Sequence, residues 1–344
     1  MNKNKLIFWF EEIGQAYNDM VGKKGANLGE MFKLGVPVAP GFVISLEACQ
    51  RFMTETGADE QISKFIASKG KVSKIDECDK ASRVIRSMVE EKEIPGYMRE
   101  EICEYYDELC EKAGIAEAPV STRSGAPTSR PGMFDTYLNV RGKEQLLKRV
   151  REVWSSAFTN RAMWYRLTHD IPIRGDMLGV TVQKFVNAKA AGITFTADPV
   201  TCDNSIIVVE ANWGLGEGVV SGKMRVDRFV LNKETLRVQE TAIADKAAHI
   251  IATEEGVETK EVPVEKRSVA CISEEELREV ARFAKFLEQR LGCPQDVEWA
   301  IDPDLPSGEN IFLFQTRPVK LREQKAQSPL DRLLDIMVKR RLQR

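Results

Sequence analysis

The chain has 344 residues, 43% hydrophobic and 30% charged, with a formal net charge of -2. That excludes a disordered low-hydropathy chain, and it leaves no global basic field to draw the protein to nucleic acid or anionic lipid. The length predicts roughly two domains. The cysteines are scattered with no CxxC pair, which disfavours a zinc or disulfide framework and fits a reducing cytoplasm. Only His169 and His249 occur, so histidine-built metal sites and Ser-His-Asp catalysis have little material.

Residues 6–10 read as a first strand. Glu11 and Glu12 follow too soon for a signal peptide, and no apolar run approaches a membrane span. Gly22 and Gly25 then flank the pair Lys23 and Lys24 ahead of a helix over 26–33 that stops at Gly35. A lysine there is either a point charge for phosphate beside helix N–H groups or a solvated turn residue. Residues 36–45 give a proline-bounded turn and a short strand. Residues 46–115 form a helical insertion, with Ile102, Tyr105, Tyr106 and Leu109 at helical spacing.

Residues 121–140 carry Arg123 and Arg130, two glycines, two prolines and a run of hydroxyls, with almost nothing bulky and apolar before Met133. The composition predicts a loop that builds no core. It offers N–H groups, hydroxyls and guanidinium forks to an anion, or it is simply polar surface. The alternation over 136–140 reads as a strand leaving that loop. Residues 143–168 predict one amphipathic helix through Leu146, Leu147, Val150, Val153, Trp154, Ala157 and Phe158. Arg161 and Arg166 near its end either reach the phosphate region or favour the helix C-terminus, and the second is the simpler reading.

Residues 179–186 read as a strand, with 193–196 as its hairpin partner across a small-residue turn. A strand over 205–212 feeds a glycine-rich stretch that matches neither nucleotide fingerprint. Ser221 stands where a third glycine of G-x-G-x-x-G belongs, and Met224 where the Walker hydroxyl belongs. A dehydrogenase reading is thereby disfavoured. Residues 226–231 continue as strand and 245–270 read as loops. Ser273 and Glu276 form a capping box for a helix ending at Gly292.

The last two strands, 295–302 and 310–319, complete the pattern. Alternation puts Asp296, Glu298 and Ala300 on one face, and Gln315 and Arg317 share a face. As antiparallel neighbours they would set Glu298 beside Gln315. These are oxygen ligands suited to Mg²⁺ arriving with a nucleotide, or ordinary groups on a polar outer face. Residues 328–342 predict a helix with Ser328 as N-cap and an apolar stripe through Leu330, Leu333, Leu334, Met337 and Val338, which docks a partner or folds back.

Residues 21–31, 121–140, 182–186, 295–300 and 315–318 together resemble, in the same order, the N-terminal nucleotide-binding domain of phosphoenolpyruvate synthase, pyruvate phosphate dikinase and rifampicin phosphotransferase. The resemblance implies an α+β, ATP-grasp fold with ATP and Mg²⁺ held between two lobes. It divides the chain into an N-terminal lobe (1–190), a C-terminal lobe (191–322) and a helical tail (323–344). By position it implies that Lys24, Arg123 and Arg317 act catalytically on the phosphates. Gly132 and Thr136 would belong to the loop over the triphosphate, Gln183 would lie near the adenine, and Glu298 and Gln315 would hold the metal. Lys23 stands where the family usually has glycine. In the family, ATP gives up its β and γ phosphates to a histidine on a swivelling domain and AMP remains. Neither His169 nor His249 lies in a comparable motif, and the chain stops shortly after Pro318. The expectation is therefore an ATP-dependent phosphotransferase subunit whose acceptor is a phosphohistidine-domain partner, or else a catalytically silent ATP-binding subunit of such a complex. No nucleic acid or membrane partner is expected.

Overall fold

The computed structural model describes residues 5–69, 75–128, 132–169, 171, 176–253 and 256–321. The chain opens with β1 (Ile7–Trp9), α1 (Asn18–Lys33) and β2 (Gly41–Ile44). Four helices follow: α2 (Leu46–Glu55), α3 (Ala58–Lys69), α4 (Ile75–Glu90) and α5 (Gly96–Ala113). Then come β3 (Val120–Gly125), β4 (Thr136–Val140), α6 (Lys143–Ser155), α7 (Asn160–Thr168) and β5 (Gly179–Lys184). The second half runs β6 (Ala190–Phe195), β7 (Ile206–Trp213), α8 (Glu217–Val220), β8 (Asp227–Asn232), β9 (Val238–Ala242), β10 (Ala248–Thr253) and β11 (Gly256–Glu261). It closes with α9 (Val264–Arg267), α10 (Glu274–Leu291), β12 (Gln295–Ile301) and β13 (Ile311–Pro318).

The strands form two antiparallel sheets and a separate β10–β11 hairpin, so the fold is mixed α and β. The first sheet has the order β1-β2-β5-β3-β4. Val120, Val180 and Val182 alternate onto the face that packs against Phe52, Ile85, Ile102, Val150 and Trp154 of the surrounding helices. The second sheet has the order β13-β12-β6-β7-β8-β9. Val297, Trp299, Ile301 and Leu313 pack there against Leu277, Val280, Ala284 and Leu287 of α10. This core also takes in Phe8, Phe10 and Ile13, together with Val21, Leu28 and Met31 of α1. An early helix thus completes the core of the late sheet, and that placement carries Lys24 to the cavity between the two sheets.

The capping box forms as its sequence predicts. Ser273 Oγ accepts from Glu276 N at 3.2 Å, the Glu276 carboxylate accepts from Ser273 N at 2.9 Å, and Gly292 ends α10 in the left-handed region. Several other expectations fail for identifiable reasons. Residues 121–125 are not loop but the inner strand β3, paired on both sides, with Thr122 and Ser124 buried. Backbone pairing, not side-chain hydropathy, recruits them into the core.

The single helix over 143–168 is two. The Ser155 and Ser156 hydroxyls bond back to the Glu152 and Val153 carbonyls at 2.9 and 2.6 Å, a 3-10 turn follows, and Thr159 caps α7 through Ala162 N at 3.2 Å. Local hydroxyl bonding of this kind competes with the helix ladder. The strand at 179–184 does not hairpin with the next one. β5 is already flanked by β2 and β3, so the chain crosses over and β6 joins the other sheet. Within 245–270 lies the β10–β11 hairpin rather than loop alone, and α1 begins at Asn18 rather than Ala26. The expected tail helix lies outside the described residues.

Candidate functional site: a cleft between the two sheets

Gly22 sets the start of the site. Its φ of 76° interrupts α1, and a Cβ there would sit 2.5 Å from the Gly125 carbonyl group. Only glycine permits both the backbone angle and that approach. Lys23 N then donates to Ala126 O at 2.9 Å, tying the restarted helix to the end of β3. The next side chain, Lys24, lines a cavity of about 620 Å³ together with Arg123 of β3, Gly132 and Thr136 from the approach to β4, and Glu298 of β12.

These groups act on one another. Arg123 Nη2 lies 3.8 Å from Glu298 Oε2, with the two side chains 18% and 14% exposed, so an ion pair bridges the two sheets. Burial, then the neighbouring Arg123 charge, lowers the Lys24 pKa to about 8, while Glu298 pulls the other way. Thr136 stands opposite Arg123 across the β3–β4 ladder.

The register of the last strands is the predicted one. Glu298 pairs with Gln315, whose Nε2 donates to Glu298 Oε1 at 3.1 Å. Arg317 pairs with Asp296 and donates from Nε to Oδ2 at 2.7 Å. Gln315 and Arg317 thus back the cavity wall from β13 without being among its lining residues. Gln183 is not brought to the cavity. It is wholly buried in β5, with Nε2 donating to Ala39 O at 3.1 Å, and Phe185 and Val186 beyond it supply the lining instead.

Two residues that the sequence reading placed without choosing a role for them bear on the site. Asp296 is buried, its Oδ1 has no partner, and burial raises its pKa against the opposing pull of Arg317. It shares the Glu298 face by simple alternation, a signal that was available. Arg161 donates to Gly132 O and so holds the loop, whereas Arg166 is buried and bonds Ala157 O at 2.5 Å and Asp176 at 3.0 Å. The sequence alternatives for these arginines therefore divide, one to the loop and the other to the helix junction.

The cavity lining also has an apolar part, beside Arg149, Glu217 and Ser221. Phe185, Val186, Ala188, Ala191, Leu215 and Ala300 form one cluster, with Leu138 and Phe314 packed against it. The β10–β11 hairpin covers the rim with Gly256 and Val257. Gly214 lets it dock. Leu215 N donates to Ile250 O at 2.8 Å, and a Cβ at Gly214 would lie 2.1 Å from that same oxygen. Asn139 Nδ2 donates to Thr253 O and ties the hairpin to β4.

A half-enclosed cleft with cations and a carboxylate beside an apolar shelf suits a ligand that is polyanionic at one end and flat and apolar at the other. That defines the class: a protein with a nucleotide-shaped site. The family model for the pyruvate phosphate dikinase AMP/ATP-binding domain matches residues 18–335, and the chain belongs to that family. A probable phosphoenolpyruvate synthase of Methanocaldococcus jannaschii is 38% identical over 323 residues, covering 92% of this chain and 27% of that protein. The phosphoenolpyruvate synthase of Aeropyrum pernix is 37% identical over 347 residues, covering 92% of this chain and 42% of its own. A probable phosphoenolpyruvate synthase of Methanothermobacter thermautotrophicus is 34% identical over 344 residues, with coverages of 97% and 49%. The chain therefore spans less than half the length of each of these three relatives.

Proposed function

We propose that the chain is an ATP-grasp phosphotransferase module, its two sheets serving as lobes that hold ATP between them, and that it passes a phosphoryl or pyrophosphoryl group to a histidine on a phosphohistidine-domain partner, leaving AMP. The observation that carries this is the meeting of Lys24, Arg123 and Glu298, from three separated parts of the chain, beside one apolar shelf. Phosphoryl transfer asks mainly for positioning and charge neutralisation. Lys24 and Arg123 would orient and neutralise the phosphates, with Arg317 supporting from behind. Gly132 and Thr136 would close over them, and the purine would lie on Phe185, Val186 and Leu215. Gln183 would act only by supporting β5.

Among the described residues no group of three or more His, Cys, Asp or Glu side chains is arranged to hold a metal. Mg²⁺ needs less than that, because it keeps water and takes one or two carboxylates plus the substrate's phosphates. Glu298, with Gln315 beside it and the unpartnered Oδ1 of Asp296 on the same strand, fits that demand. Bound there, Mg²⁺ would offset the charge of the phosphate oxygens.

The acceptor has to come from elsewhere. Neither His169, stacked on Tyr165 at the end of α7, nor His249 of β10 lines the cavity. No helix among the described residues is long and apolar enough to cross a membrane. The setting proposed here is the cytoplasm, where Cys49, Cys78, Cys103, Cys110, Cys271 and Cys293 remain free thiols. Incubation with a phosphohistidine-domain protein and β- or γ-labelled ATP should give AMP and an acid-labile label on the partner. Release of ADP alone would contradict transfer, and tight ATP binding without partner-dependent turnover would favour a silent binding subunit.

The ionisation of Lys24 gives a pH dependence with a definite sign. Below about pH 8 the amine is protonated and attracts phosphate; above it the charge is lost. ATP affinity should therefore fall as pH rises through that value, by up to about tenfold per pH unit, because one proton must be taken up on binding. Stability of the ligand-free protein moves the other way. The unfolded lysine keeps its proton up to its ordinary value of 10.5, so this group's contribution to stability rises between about pH 8 and 10.5. Calorimetric titration across this range, with Lys24→Arg as a flat reference, checks the affinity limb.

A further inference from the structure

We propose that Lys24 is a covalent modification site, acylated by acyl phosphates that the charged end of the cavity holds by their phosphate group. The inference rests on the proposed phosphate-binding reading of that end and adds a chemical consequence to it.

Lys24 is the only lysine among the described residues that line the cavity. It also differs from the chain's other sequestered lysines. Lys246 and Lys233 each clamp a carboxylate, at 2.6 and 3.1 Å. Among the described residues, no carboxylate lies within 4.0 Å of the Lys24 amine. Its strongest charged neighbour is Arg123, a cation that discourages its proton. At neutral pH a substantial fraction of the amine is therefore the free nucleophile, where an ordinary lysine offers on the order of one in a thousand.

A guanidinium is no competing nucleophile, and the planar fork of Arg123 is well suited to a phosphate group. An acyl phosphate docked there would bring its carbonyl carbon beside Lys24, which reacts from the fraction of the bound state in which its amine is unprotonated. The step balances without a redox partner. The Lys24 nitrogen attacks the acyl carbon and a C–N bond forms. The C–O bond to phosphate breaks, inorganic phosphate departs with the electron pair, and the surplus amine proton passes to it or to water. The product is a neutral amide in place of a cation, at the point where nucleotide phosphates would be met. Acyl phosphates would thereby switch the site off.

The preceding residue is a built-in control, because Lys23 is exposed and does not line the cavity. The unmodified protein is treated with acetyl phosphate at pH 7.4, and in parallel with p-nitrophenyl acetate, which carries the same acyl group without a phosphate. Fragment-ion mass spectrometry separates the two neighbours. The expected result is acetylation of Lys24 at least tenfold faster than Lys23 with acetyl phosphate, a smaller ratio with p-nitrophenyl acetate, and slowing of the Lys24 reaction by inorganic phosphate. Equal rates at the two lysines, an equal ratio for the two reagents, or indifference to inorganic phosphate would each overturn the proposal. ATP is added in a final arm. Protection of Lys24 by inorganic phosphate but not by ATP would leave the acylation site standing and remove the nucleotide reading.

Discussion

Replacing Arg123 by alanine should weaken ATP binding by about 2–4 kcal/mol, between roughly 30- and 700-fold in Kd, the range for truncating one member of a desolvated charge pair. The size follows from position. Arg123 sits on an inner strand, little exposed, and its guanidinium is the link between the first sheet and Glu298 of the second. The substitution removes a fork suited to phosphate and leaves Lys24 as the counter-charge to Glu298 among the described lining residues. Lysine is expected to restore only part of the loss, because a point charge cannot make the bidentate contact.

The unliganded protein should barely notice the same change. Arg123 is one of the two causes that depress the Lys24 pKa, so its removal relieves a repulsion while it breaks a long ion pair. Calorimetry with ATP, alongside thermal melts without it, separates the two effects. A large drop in melting temperature without ligand would show Arg123 to be structural. Unchanged ATP affinity would remove the residue from the site. Arg161→Ala should cost less, because Arg161 is exposed and the bond it makes to the loop among the described residues is to Gly132 O.

The pairing of Glu298 with Gln315 was readable from the sequence because strand alternation and a short turn leave few registers open to β12 and β13. Lys24 and Arg123 were singled out through the family resemblance, since a lysine beside glycines and a polar arginine-bearing stretch each fit solvated surface equally well, and Arg149, Glu217 and Ser221 of the same lining gave no local signal. What escaped was whatever depends on the third dimension. Hydropathy cannot reveal that the hydroxyl-rich Ser121 to Gly125 is an inner strand, because its burial is enforced by neighbours on both sides. Nor can it reveal that the strand ending at Lys184 and the one beginning at Ala190 belong to different sheets. Gln183 shows the same limit. Its neighbours in sequence reach the cavity, while its own side chain is turned to Ala39 O beneath the sheet. Local pattern gives the faces of an element, but the partner across each face comes only from packing.

The largest loss of stability is expected outside the cavity lining, at Asp227. Its carboxylate lies at the start of β8 and is fully buried with Lys246, whose amine approaches to 2.6 Å. It also accepts from Ala244 N at 3.0 Å and Cys271 N at 3.0 Å, so one side chain ties three passages of chain. Asp227→Ala would strand a buried ammonium and two backbone donors at once, and should cost about 3–5 kcal/mol. The guanidinium midpoint would fall with the slope of the transition unchanged.

Removing both charges in Asp227→Leu with Lys246→Met should cost less than the single change, since no unpaired charge is left behind. If the double variant is as unstable as the single one, the backbone donors rather than the stranded lysine set the energy. The effect reaches the cleft by a short route. Lys246 lies two residues before β10, and the β10–β11 hairpin carries Gly256 and Val257 to the cavity rim. A loosened anchor should let that hairpin lift, weakening ATP binding by less than Arg123→Ala does but raising the dissociation rate. Arg123→Ala removes a contact and leaves the hairpin seated, so amide exchange in β10 should rise for the Asp227 variant alone.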